Sequence, residues 1–403
     1  MKSTFTWLDY SEHERRKMVD VIEAFGEQGT RDELGIGTIR DGLADLLFPG
    51  TGTVQTRARY FLFIPWIYRE AEESRIDSAH IADWARKREI VLINGLEEGG
   101  ETLAVIGRVA REGLRRLPSN IYWQGLGVWG IRLFNGSQDQ YHRSVDHWRL
   151  TRGQMLRSED GDVVSGSACL NWHAGLPSPP EGFPDEASFA LDRKEAKYLQ
   201  ERILTHAPKS LLAHLISRRS SPSESPFCWA EAGYADFSSI NKAQVDQARC
   251  FSETIHGAAL LYNLMLSQLR RSDELIEHYR EQFQEWADLV DSRGSALRQW
   301  DQERFWQILD ASGAHVTPRT VRFTRDWVTF VLTAHSLGKL ATHTGACQLI
   351  RERERALKKS LARLENPRAL ELWNGAAGAR RLDFRWGVTH QIVTDIMEGL
   401  KHA

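Results

Sequence analysis

Between Val245 and Leu269, apolar residues return at Val245, Ala248, Phe251, Ile255, Ala258, Tyr262, Met265 and Leu269. Steps of three and four place all of them on one face of a helix. A stripe of roughly seven turns has to be covered along its length, so it restricts the chain to a fold in which long elements pack on one another. The same pattern restarts after Ser272, with Leu275, Tyr279, Phe283, Trp286 and Leu289 on one face. A further helix is predicted from Thr317-Pro318, a cap followed by proline at the first helical position, with Val321, Phe323, Trp327, Val331 and Leu337 following. Two more helices are predicted over about 347–365 and 385–400.

The earlier half carries helix signals as well. Ser11 and Glu14 have the spacing of a capping box and predict a helix over 11–25. Arg40–Phe48 reads as a short helix stopped by Pro49-Gly50, and Thr53 as the cap of a third helix that Pro65 should kink or break. Ser119 is expected to cap an aromatic helix over 120–134, and helices follow at 192–204 and 209–216. No βαβ alternation is present, and one minor hairpin is expected near 160–167. The class is therefore mainly α and multi-helical.

At 403 residues the chain exceeds the roughly 250–300 residues at which single cores stop growing. Seven of its twelve prolines (Pro177, Pro179, Pro180, Pro184, Pro208, Pro222 and Pro226) fall in one stretch. The expected organisation is two helical domains, 1–153 and 227–403, joined by a proline-rich structured connector over 154–226. The 52 basic and 54 acidic side chains nearly cancel, which excludes a polyionic disordered chain and a basic DNA-coating protein. No apolar run approaches the ~20 residues of a membrane span, and the start MKSTFTWLDY lacks a signal-peptide core, so a cytoplasmic protein is expected. The four cysteines show no CxxC spacing, so free thiols are expected rather than disulfides or zinc. No P-loop, dinucleotide fingerprint or nucleophile elbow occurs, and no cofactor is expected.

Three groups of residues invite a chemical reading. A short helix, the Pro49-Gly50 turn and a helix bearing Gln55, Arg57 and Arg59 have the lengths of a helix-turn-helix, in which arginine or glutamine reaches bases and phosphates. The alternative is a helical hairpin whose arginines pair with Asp32, Glu33 or Asp41. Asp139, His142, Asp146 and His147 share one helix, and His142 with Asp146 lie one turn apart, as ligands of a metal ion would. The alternative is an ordinary hydrogen-bonded polar face. Arg351–Arg385 holds ten basic residues against five acidic ones, so Arg351, Arg355, Lys358, Lys359, Arg380 and Arg381 could face phosphates. The alternative is a solvated helix with ion pairs along its surface, on which loss of Arg353 would be nearly silent for stability. The fourteen tryptophans fall mostly in apolar stripes and are read as core anchors.

The blocks RDELGIGTIRD (31–41), LFPG (47–50), QTRARYF (55–61) and FIPWIY (63–68) resemble a bacterial family described only as a domain of unknown function. LPSNIYW (117–123), GSQDQYH (136–142), NWH (171–173) and DFRW (383–386) extend the resemblance over nearly the whole chain. The resemblance implies a place in prokaryotic antiviral defence gene neighbourhoods, beside helicase, methyltransferase or phospholipase-D-like nuclease genes. It carries over no catalytic residues. The expected function is a non-catalytic subunit of an anti-phage defence complex that binds DNA or partner proteins. The alternative is a metal-dependent nuclease or phosphodiesterase of the same system, using Asp139, His142, Asp146 and His147.

Overall fold

The computed structural model describes residues 32–101, 103–155, 171–218 and 221–402, with the side chains of 151–155 set aside. The helix expected over 11–25, the hairpin near 160–167 and Cys169 lie outside the described residues. Among those residues the chain is mainly α, with no strands and one isolated bridge between Arg132 and Trp172. The helices are α1 (Gly37–Leu47), α2 (Tyr60–Glu73), α3 (Ile81–Glu98), α4 (Pro118–Val128), α5 (Gln138–Met155), α6 (Arg193–His206) and α7 (Leu211–Ser217). They continue as α8 (Ser239–Arg270), α9 (Asp273–Ser292), α10 (Gly294–Arg298), α11 (Gln302–Ala311), α12 (Pro318–Thr333), α13 (Thr344–Lys358), α14 (Pro367–Glu371) and α15 (Trp386–Lys401). No helix among the described residues is long and apolar enough to cross a membrane.

The chain forms two compact units. Among the described residues, one takes 32–42 together with Gln247–Leu382, and the other takes those between Leu43 and Asp246 together with 383–402. These divisions do not follow the 1–153, 154–226 and 227–403 scheme. Proline content marks where helices stop, whereas a unit is set by which helices pack together, and two of the divisions fall inside α1 and α8.

In the first unit the stripe of α8 is buried from Ala248 to Met265, while Leu269, at its end, is 47% exposed. The indole of Trp286 donates to the Glu253 carbonyl at 2.7 Å and that of Trp327 to the Thr254 carbonyl at 2.9 Å, so each buried tryptophan satisfies its one polar atom. Thr317 caps α12 by accepting from the Thr320 amide, with Pro318 in the first turn, as the sequence predicts.

The second unit is built around α2, which is buried on every side from Tyr60 to Tyr68. Phe61 stacks on Trp129 with ring centroids 3.8 Å apart, and Phe63 stacks on Phe183 at 5.6 Å. One expectation fails here, and the break allowed for at Pro65 does not occur. The helix does not begin after Thr53 but at Tyr60, because the loop before it is tied to other parts of the unit. Pro65 does not break it either: the helix runs on to Glu73, since burial of the aromatic run on all sides outweighs the ~3 kcal/mol that an interior proline costs. Gly50, which ends the preceding turn, has φ +84°, and a Cβ there would lie 2.3 Å from the Trp129 indole nitrogen. The expected Ser119 cap also fails. Asn120 instead accepts from the Leu117 amide at 3.0 Å, α4 starts at Pro118, and the helix stops at Val128 rather than near 134.

Candidate functional site

Gln55, Arg57 and Arg59 sit in the loop before α2, not on a helix. The Gln55 amide is spent on its own loop, with Oε1 accepting from the Gly52 amide at 3.0 Å and Nε2 donating to the Gly50 carbonyl at 3.3 Å. The Tyr122 hydroxyl accepts from the Thr56 and Arg57 amides and donates to the Arg57 carbonyl. Arg57 meets Asp395 at 2.9 Å and Arg59 meets Glu195 at 2.7 Å, with the carboxylates 1% and 3% exposed. Burial raises both carboxyls, and the facing arginine pulls each back down. The expected alternative partners are therefore corrected. Asp32 accepts from the Ile36 and Gly37 amides, each at 2.6 Å, and Asp41 pairs with its neighbour Arg40.

The four candidate metal ligands lie along α5, each tied into the fold or exposed. Asp139 pairs with Arg143, Asp146 accepts from the Ser78 amide at 3.1 Å and from its hydroxyl, and His147 is exposed. His142 Nε2 lies 2.9 Å from the Tyr68 hydroxyl, at the end of a buried chain. Gln138 Nε2 donates to the Tyr68 oxygen at 2.6 Å and to Ser119 Oγ at 2.8 Å, and Ser119 Oγ donates to Glu89 at 2.6 Å. With the tyrosine oxygen already accepting, its hydrogen is available to the His142 lone pair, and burial holds His142 below its ordinary pKa. Among the described residues no group of three or more His, Cys, Asp or Glu side chains is placed to hold a metal ion.

Glu89 is fully buried, and burial pushes its carboxyl up to about 7, against the pull of the Ser119 hydroxyl and amide and of Arg86. Its folded pKa lies above the unfolded value, so the folded protein holds a proton that the unfolded chain has released. The contribution is fully present below about pH 4.5 and is lost as pH rises to about 7. Relative to Glu89→Gln, the wild type should lose about 3 kcal/mol across that window, measured by urea unfolding from pH 4.5 to 8. A constant difference between the two proteins would contradict this.

The basic C-terminal residues divide. Lys358 and Arg363 both bind Glu33, and although burial raises that carboxyl, the two cations hold it below its ordinary range. Arg353, expected on a solvated face, is buried and donates to the Leu34 carbonyl at 2.8 Å, the Gly35 carbonyl at 3.0 Å and Thr320 Oγ1 at 2.9 Å. It holds the segment Asp32–Ile36 against α13, so its exposed placement is corrected. Arg351 donates to the Leu364 carbonyl and Arg355 pairs with Glu365. Lys359 and Arg380 are exposed.

Arg381 joins a cluster that the sequence did not reveal. Glu253, fully buried on α8, accepts from Arg249 at 2.8 Å, Arg293 at 3.0 Å and Arg381 at 2.9 Å. Arg249 and Arg293 alone outnumber the carboxylate. Burial lowers the Arg381 guanidinium and the two neighbouring arginines lower it further, against Glu253. A signal was present: Glu253, like Asp395 and Glu89, is an acid placed among apolar neighbours on a helix, and a buried carboxylate demands donors. What the signal omits is which distant arginines supply them.

Compared with known proteins, residues 2–399 match the model of a family described as of unknown function. No curated protein and no solved structure matches the chain.

Proposed function

We propose that this chain, which belongs to that family, DUF6361, is a cytoplasmic, non-catalytic subunit of a prokaryotic antiviral defence complex that binds nucleic acid. Its partners in this reading are the helicase, methyltransferase or nuclease subunits implied by the resemblance of its motifs. The observation that carries the reading is the gathering of Arg249, Arg293 and Arg381 around Glu253, with Arg380 exposed beside them in the chain. Guanidiniums brought together at partial exposure repel one another, and a phosphodiester backbone relieves that repulsion. A binding role rather than metal chemistry is favoured by the engagement of Asp139, His142 and Asp146 in bonds within the fold.

The test is DNA and RNA binding by fluorescence anisotropy at ~50 and ~200 mM salt. Wild-type affinity should fall steeply with salt. Lys359→Glu with Arg380→Glu, which touches no internal ion pair, should weaken binding about tenfold or more without lowering the Tm. Absence of salt-dependent binding would overturn the reading, as would cleavage of the probe that stops on chelation of divalent metal. Co-purification with the products of neighbouring genes tests the subunit role.

A further inference from the structure

The second unit contains a cleft of about 790 Å³ between the end of α4 and the start of α5, within the range that small-molecule sites occupy. Its walls carry the amides of Asn120, Gln124 and Asn135, the ring of Phe134 and the guanidinium of Arg132. No carboxylate is among the residues that line it.

Arg132 is held with unusual care. Its Nε donates to the Trp123 carbonyl at 3.2 Å, and its Nη1 donates to the carbonyls of Phe134 and of Gly136, the latter at 3.0 Å. The guanidinium carbon lies 4.9 Å from the centroid of the Trp123 ring. Gly127 leaves space for the other nitrogen, because a Cβ there would stand 2.4 Å from Nη2. The backbone on either side of Arg132 is anchored too, the Leu133 amide donating to the Asn171 carbonyl at 2.8 Å and the His173 amide to the Ile131 carbonyl at 2.8 Å. Three carbonyls and an aromatic face thus fix the group while Nη2 keeps both of its hydrogens. Arg57, Arg59, Arg88, Arg218 and Arg385 in the same unit each meet a carboxylate. Among the described residues Arg132 meets none, and burial lowers its pKa.

We propose that this cleft binds a small polar organic anion, whose carboxylate or phosphate monoester group takes the free Nη2 of Arg132. The amides of Gln124 and Asn135, which offer both donors and acceptors, receive its polar groups. One wall is rigid in advance: Asn120 donates to Gln138, whose own amide is fixed by Tyr68 and Ser119. The site lies in a different unit from the arginines around Glu253, and it stands or falls independently of nucleic-acid binding.

The test uses inorganic phosphate and acetate as separate probes on the full chain, read by line broadening of the 31P and 13C-acetate resonances. A single charge-assisted contact corresponds to a dissociation constant on the order of millimolar, so saturable broadening is expected below about 20 mM probe. A preference for phosphate identifies a phosphate monoester ligand, and a preference for acetate a carboxylate. Arg132→Gln should abolish the broadening. Because that change also removes bonds to three carbonyls, Asn135→Asp decides the matter if Arg132→Gln fails to fold. It adds a negative charge to the cleft at an exposed residue and should weaken probe binding about tenfold with the Tm unchanged. Broadening that is absent in the wild type, or that survives Asn135→Asp undiminished, overturns the proposal. So does broadening that Lys359→Glu with Arg380→Glu removes and Asn135→Asp does not.

Discussion

Replacing Arg59 with alanine is expected to destabilise the protein by about 3–5 kcal/mol, and replacing Arg57 as well to leave it largely unfolded at ordinary temperature. Each change strands a carboxylate, Glu195 or Asp395, that has almost no contact with water. The magnitude belongs to breaking such a pair rather than to the pair's net worth. Desolvation already raises both carboxyls, and an arginine removed alone leaves that cost uncompensated. A sharper outcome follows for Arg59→Ala combined with Glu195→Gln, which removes the stranded charge and should recover much of the loss. Urea unfolding of the single and double variants measures it. If Arg57→Ala with Arg59→Ala melted like wild type, the two pairs would not be holding the loop before α2.

Trp327→Ala should cost about 3–5 kcal/mol, since it empties a fully buried indole site and removes the indole's bond to the Thr254 carbonyl. Arg353→Ala belongs with it rather than with the silent surface changes. It deletes three charge-assisted bonds, to the Leu34 and Gly35 carbonyls and to Thr320, and should cost about 2–4 kcal/mol. Thermal melts of both beside Arg355→Ala, whose partner Glu365 is at the surface, check the order. Arg355→Ala is expected to melt like wild type, because an exposed ion pair contributes little. An Arg353→Ala protein as stable as Arg355→Ala would mean that the segment Asp32–Ile36 is not fastened to α13.

The sequence by itself determined the class and most of the helices. The stripe of α8 and the Thr317-Pro318 start of α12 are local signals, carried by residues within a turn or two of one another. Hydrophobic period and capping chemistry act at that range, so they are readable without a fold. Where a local signal met a tertiary one, the tertiary one prevailed. Thr53 has a cap's chemistry, yet Tyr122, more than sixty residues away, ties down the loop that follows it. Pro65 has a breaker's chemistry, yet the burial of Tyr60–Tyr68 carries the helix through it. The candidate sites show the same division. Arg57, Arg59 and Arg353 look alike in sequence to Lys359 and Arg380, and only the fold distinguishes cations locked onto interior groups from cations left at the surface. Their partners Asp395, Glu195 and Leu34 lie more than a hundred residues away, and sequence periodicity carries no information about pairing at that separation. The unit divisions were hidden for a related reason. Two of them cut through α1 and α8, where composition and period run on unchanged, because what separates units is the set of helices each segment packs against.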